Sequence, residues 1–321
     1  MQSEAMRRSG AMAVDPQIAG MLKALDAGFP RVETMTGAQA REAIRARFVG
    51  AANPETVGSV CDETIPGGIP VRIYRPAVDS ALPILVYAHG GGFVFCDLDS
   101  HDELCRSIAN LLPAVVVSVD YRLAPEHRWP AAAEDIYAAT HWAGTAKDLG
   151  DVTRIVVGGD SAGGNLAAVT AVMARDRGGP PLAGQLLVYP MLAADFDTES
   201  YRLFGNGFYN PRPALQWYWD QYVPSPVDRR HPYASPLQAD LTGLPPAVVV
   251  IAGHDPLRDE GIAFVRALMA AGVDTVCCRY DGGIHGFMTM PMLDLAQQAR
   301  VEVCGELSRL LAPEVSPRAC S

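Results

Sequence analysis

The segment Gly159-Asp160-Ser161-Ala162-Gly163-Gly164 carries the sharpest chemical signal in the chain. It follows the β-branched run Ile155 to Val157 and opens a helical pattern, which fits the G-x-S-x-G turn that lifts a nucleophilic serine between strand and helix. The spacing has a steric cause: on so tight a turn the residues two before and two after the serine press against backbone. Glycines at 159 and 163 meet that demand. Serine is a weak nucleophile until a base takes its proton, and imidazole titrates in the right range for that task. Where this turn is used, the chain order runs Ser, then Asp or Glu, then His. The run Val248 to Ile251 ends in Gly253-His254-Asp255-Pro256. This puts Asp255 at a strand's carboxyl end, whereas Asp259 and Glu260 fall inside the following helix. Beyond it lies His285, in the loop Gly282 to Phe287 after the last strand. His254 adjoins the acid, but successive strand residues point to opposite faces. His101, His127, His141 and His231 lack metal-ligand spacing and read as surface or packing residues.

A second glycine-rich turn, His89-Gly90-Gly91-Gly92-Phe93, follows the apolar run Ile84 to Ala88. Glycines let backbone N–H groups approach a developing alkoxide closely. The candidate donors are the amides of Gly90, Gly91 and Gly92, with Gly91 and Gly92 favoured, together with that of Ala162. No Gly-Lys-Ser/Thr follows, which excludes a phosphate loop, and no dinucleotide fingerprint reads through Gly158 to Gly164. The chemistry implied is acyl transfer through a serine, with no metal and no cofactor.

The elements around these residues alternate. Apolar runs at Val71–Tyr74, Ile84–Ala88, Val115–Val119, Ile155–Val157, Leu186–Tyr189, Val248–Ile251 and Val273–Tyr280 read as strands covered on both faces. Helical patterns separate most of them, at about Asp102–Leu112, Pro130–Ala146, Ala162–Arg175, Pro256–Ala271 and Leu293–Leu311. Alternating strand and helix predicts a mostly parallel central sheet flanked by helices. Two helices precede it, the first capped by Asp15 with Pro16 at its first position. Thr36 caps the second, with Ala40, Ala43, Ile44 and Phe48 as its apolar stripe. The alternation lapses between Ala193 and Leu244, a stretch rich in aromatics that reads as an insertion.

Composition narrows the partners. With 26 basic against 36 acidic residues the formal charge is −10, which disfavours a nucleic acid. No apolar run reaches the roughly 18 residues that span a bilayer, and the stretch after Arg7-Arg8 is soon broken by Asp15 and Pro16. Neither an anchor nor a signal peptide is expected. Seven cysteines, an odd number without metal spacing, point to a reducing cytoplasm and to packing roles, Cys277 and Cys278 included.

The chain resembles the bacterial hormone-sensitive-lipase-like esterases, the GDSAGG subgroup of the α/β-hydrolase fold. The likeness rests on HGGGF at 89–93, DYRLAPEHRWPAA at 120–132, GDSAGG at 159–164, DPLRDEG at 255–261 and HGF at 285–287. It implies a carboxylic-ester hydrolase with Ser161 as nucleophile, His285 as base then acid, and Asp255 orienting the imidazole. It also implies a small helical cap, built from residues 1–52 and from an insertion at 193–241, over a catalytic body of 53–192 and 242–321. Tyr121 to Pro130 resembles a structural segment beside the oxyanion loop. An amidase with the same triad, and a small-molecule receptor on the same fold, are the alternatives. Phe93, Phe208, Tyr209, Trp217 and Trp219 are expected to close a short pocket, which favours acyl chains of roughly C4 to C8. The last strand is expected at a sheet edge, where it could pair with a second copy across a two-fold axis, a dimer that sedimentation would reveal.

Overall fold

The computed structural model describes residues 13–78 and 80–312; Arg7, Arg8 and Cys320 lie outside them. Helices α1 (Pro16–Gly28) and α2 (Gly37–Arg45) come first. Asp15 Oδ1 caps α1 by accepting from the Gln17 and Ile18 amides at 2.9 and 3.3 Å. Thr36 and Gln39 form a reciprocal capping box on α2. The body follows as β1 (Ser59–Ile65), β2 (Ile69–Arg75), β3 (Pro83–Ala88), α3 (Asp102–Leu111), β4 (Val115–Val119), α4 (Ala131–Ala143), β5 (Asp151–Asp160) and α5 (Ala162–Arg177). After β6 (Leu182–Val188) come two short helices, α6 (Glu199–Phe204) and α7 (Arg212–Tyr222). The chain ends on β7 (Ala247–His254), α8 (Arg258–Ala270), β8 (Thr275–Ile284) and α9 (Asp294–Leu310).

The eight strands form one sheet in the order β1-β2-β4-β3-β5-β6-β7-β8. The β1–β2 and β2–β4 pairs are antiparallel and the rest are parallel. The central strands are apolar throughout because both faces are covered. Ile84, Val86 and Val117 pack with Ala132, Ile136 and Ala139 of α4. Leu85, Tyr87 and Val116 pack on the other face with Leu104 and Ile108 of α3 and Val303 of α9. Strand periodicity sends alternate side chains to opposite layers. As expected, β8 lies at an edge of the sheet.

Two features depart from the sequence reading. β1 was not anticipated, and its residues are exposed except Ile65, so no apolar signal marks it. Phe48 lies beyond the end of α2 and is 44% exposed, so it is not part of that helix's stripe. The aromatic insertion holds α6 and α7, with Tyr201, Phe204, Tyr218, Trp219 and Tyr222 buried. α7 packs against the turn Val32–Thr34, which joins the N-terminal helices to the insertion. All six described cysteines are free thiols.

Candidate active site

Three strand ends build the site. β5 runs straight into Ser161, which takes the left-handed backbone conformation φ 56°, ψ −117° as α5 begins. The Ser161 amide donates to the Val188 carbonyl at 2.9 Å, and its own carbonyl accepts from the Met191 amide at 3.0 Å. A Cβ on Gly163 would stand 1.9 Å from the Ala88 carbonyl oxygen, and one on Gly159 2.4 Å from the Gly163 backbone. No residue with a side chain fits either place, and this is the steric demand behind the motif.

Asp255 follows the end of β7 and is fully buried; its Oδ1 accepts from the Leu257 amide at 2.8 Å. His285 sits just past β8, on a loop turned by Gly286 at φ 77°. Arg300, buried on α9, steadies that loop by donating from Nε and Nη2 to the Met288 carbonyl at 3.0 and 2.7 Å. His285 Nδ1 lies 2.7 Å from Asp255 Oδ2, and its Nε2 lies 2.9 Å from Ser161 Oγ. A carboxylate only accepts, so Nδ1 carries the proton and the Nε2 lone pair faces the serine hydroxyl. The structure thus brings Ser161, His285 and Asp255 into one line of hydrogen bonds. His254 stands apart from it: its ring stacks on Phe208, with centroids 5.6 Å apart.

The glycine turn after β3 lies alongside. Gly90 is corrected here as a donor, because its amide is already bound to Asp160 Oδ1 at 3.0 Å and lies 3.3 Å from His101 Nε2. The amides of Gly91, Gly92 and Ala162 donate to nothing among the described residues. His101, read as a surface or packing residue, is buried at 5% exposure and lies 3.2 Å from Asp160 Oδ1. Tyr87 Oη donates to the same carboxylate at 2.9 Å. Burial opposes ionisation of Asp160, but His101 and Tyr87 outweigh it and hold the group below the usual carboxylate range.

His89 is the other buried imidazole of this turn, stacked on Tyr121 with centroids 4.3 Å apart. Burial, with the neighbouring His101, lowers its pKa to about 4. The unfolded chain therefore binds a proton below about pH 6.5 that the folded chain refuses until about pH 4. Stability is full above pH 6.5 and falls as the pH drops towards 4, by about 3 kcal/mol from this group alone. Urea unfolding at pH 7, 5.5 and 4.5 checks it: the wild-type slope should flatten in His89→Gln, and equal slopes would refute it.

The cavity over Ser161 measures about 110 Å³. A larger groove of about 680 Å³ beside it, lined by Phe48, Arg72 and Met292 among others, shares Thr289 but contains none of the three aligned residues. The expected pocket aromatics need correction. Phe93 stacks on Tyr222 at 3.9 Å and, like Trp219, is fully buried in the core, while Phe208 covers His254. Trp217, too, does not line the cavity. Of the expected set only Tyr209 does, joined by Phe29, Phe95 and Tyr218, which sequence reasoning missed. Among the described residues no group of three or more His, Cys, Asp or Glu converges as metal ligands do.

A serine on an elbow at the end of a central parallel strand marks the α/β-hydrolase fold. A model of that fold family matches residues 85–289. The carboxylic ester hydrolase LipN of Mycobacterium tuberculosis is 46% identical over 263 residues, 78% of this chain and 70% of its own length. The carboxylesterase NlhH of the same species is 41% identical over 292 residues, 87% of this chain and 91% of its own. Among solved structures, a thermostable esterase from Pseudomonas putida superposes with a TM-score of 0.88 at 36% identity, covering 94% of this chain and 99% of its own. The chain belongs to the α/β-hydrolase fold family, among the bacterial hormone-sensitive-lipase-like esterases, and is an enzyme of that class. Among the described residues no helix is long and apolar enough to cross a membrane.

Proposed function

We propose that the chain hydrolyses carboxylic esters of short to medium acyl length through an acyl-enzyme. The observation that carries this reading is the unbroken line from Asp255 through His285 to Ser161, set beside three unengaged backbone amides. Ser161 Oγ attacks the ester carbonyl as His285 Nε2 takes its proton, and Asp255 stabilises the imidazolium that forms. The amides of Gly91, Gly92 and Ala162 receive the oxyanion. His285 then returns its proton to the leaving alkoxide, and water enters by the same steps in reverse. Of the stretches 1–52 and 193–241, the described residues 13–52 and 193–241 serve as a cap over a catalytic body formed by the described residues of 53–192 and 242–321.

The cavity supports the preference for short chains. At about 110 Å³ it is well below the roughly 300–1,000 Å³ of drug-sized ligand sites, and aromatic rings wall it. One more buried methylene gains about 0.8 kcal/mol, but forcing a chain against packed rings costs about 1–3 kcal/mol. The optimum is therefore expected at the short end, at roughly C4 by this balance. The test is kcat/KM across p-nitrophenyl esters from acetate to palmitate, with matching anilides, beside Ser161→Ala. A maximum at palmitate would overturn the short pocket. Faster anilide than ester cleavage would make the chain an amidase.

A further inference from the structure

Two of the polar side chains that line the catalytic cavity are nearly buried, have no hydrogen-bond partner among the described residues and are not used by the reaction described above. Asn210, just before α7, lines the cavity and is 5% exposed. Its backbone amide is bound to the Phe208 carbonyl at 2.9 Å. Its side-chain carboxamide has no hydrogen-bond partner among the described residues, yet its polar atoms are not sealed inside the protein as those of His254 and Trp219 are. Tyr218 repeats the pattern. It lines the cavity, is 3% exposed, and its phenol has no partner among the described residues and is not sealed. Its ring is fixed over the oxyanion loop, since a Cβ on Gly92 would stand 2.5 Å from it.

Buried polar groups are ordinarily paired, and one left open on a small cavity is met by water until a ligand displaces that water. In about 110 Å³ a substrate expels most of it. A plain alkyl chain would leave the carboxamide desolvated and unpaired, which sites built to hydrogen-bond do not tolerate well. No lysine, arginine or glutamate lines the cavity, and its aspartate, Asp160, is engaged by Tyr87, Gly90 and His101. The group recognised is thus uncharged. Carboxamide and phenol each donate and accept, which matches a hydroxyl.

Resting on the ester-hydrolase reading, we infer that Asn210, with Tyr218, selects esters that carry a hydroxyl group close to the scissile bond over their alkyl isosteres. Asn210 is a specificity residue in this scheme and takes no part in bond making.

Two isosteric pairs test it: ethyl 3-hydroxybutanoate against ethyl 3-methylbutanoate, and 2-hydroxyethyl butanoate against propyl butanoate. The first pair places the hydroxyl on the acyl side and the second on the alcohol side. Wild type is expected to favour the hydroxylated member of at least one pair by about 10-fold in kcat/KM, and Asn210→Leu to shift that ratio by roughly 10- to 100-fold towards the alkyl ester. Equal kcat/KM within both pairs in wild type overturns the inference without need of any variant. A ratio unmoved in Asn210→Leu overturns the role of Asn210. Failure of the underlying reading looks different: none of the four esters would then be cleaved in a Ser161-dependent way, and both conclusions would fall.

Discussion

Ser161→Ala is expected to lower kcat by roughly 10⁴- to 10⁶-fold, and adding His285→Ala to that variant should cost almost nothing further. The reason is geometric. His285 Nε2 stands 2.9 Å from Ser161 Oγ and can serve as base only for that hydroxyl, so without the serine the imidazole has no proton to take. The serine without the imidazole is in turn an ordinary alcohol. What survives in each variant is the binding of substrate and the oxyanion amides. Single-turnover and steady-state rates of the two single variants and the double variant decide the matter. Multiplying losses would place His285 outside the line that joins it to Asp255, and a modest loss in Ser161→Ala would remove the serine from the chemistry.

Gly91→Ala is expected to reduce kcat by about 10²- to 10³-fold in a protein that still folds, with KM changed much less. Gly91 has φ 116°, a conformation costly for any side chain, and its Cβ would stand 2.1 Å from the Phe95 carbonyl oxygen. Neither the oxygen nor the turn can yield without moving the amides of Gly91 and Gly92. A donor displaced by a fraction of an ångström loses most of its value in the transition state, while the ground-state carbonyl is held nearly as well. The loss therefore belongs in kcat. Circular dichroism and a melting curve establish that the variant is folded. Unchanged turnover would put the oxyanion elsewhere.

Legibility in the sequence followed the physics that each residue answers to. Ser161, Asp255 and His285 were readable because the elbow demands glycines at fixed spacing and because the strand ends are marked by apolar runs. The central strands were readable for the same reason, being covered on both faces. β1 was not, since a strand exposed along nearly its whole length has no pattern to betray it. The pocket walls were misassigned because large aromatics look alike in sequence. Phe93 and Trp219 went into the core, while Phe29, some sixty residues before the oxyanion loop, reached the site through the fold alone. His101 had no motif of its own; it reaches Asp160 from the position just before α3, through the fold.

Asp160 joins two stretches of chain 70 residues apart, the elbow and the glycine turn, at the ends of neighbouring strands. The placement of Ser161 beside the amides of Gly91 and Gly92 is thus inherited from the register of the sheet. The cavity wall, by contrast, is shared: Tyr209, Asn210 and Tyr218 come from 193–241, Phe29 from the stretch after α1, and Phe95 and Thr289 from the loops after β3 and β8, so the pocket has several places to change while the sheet keeps Ser161 and the amides in register.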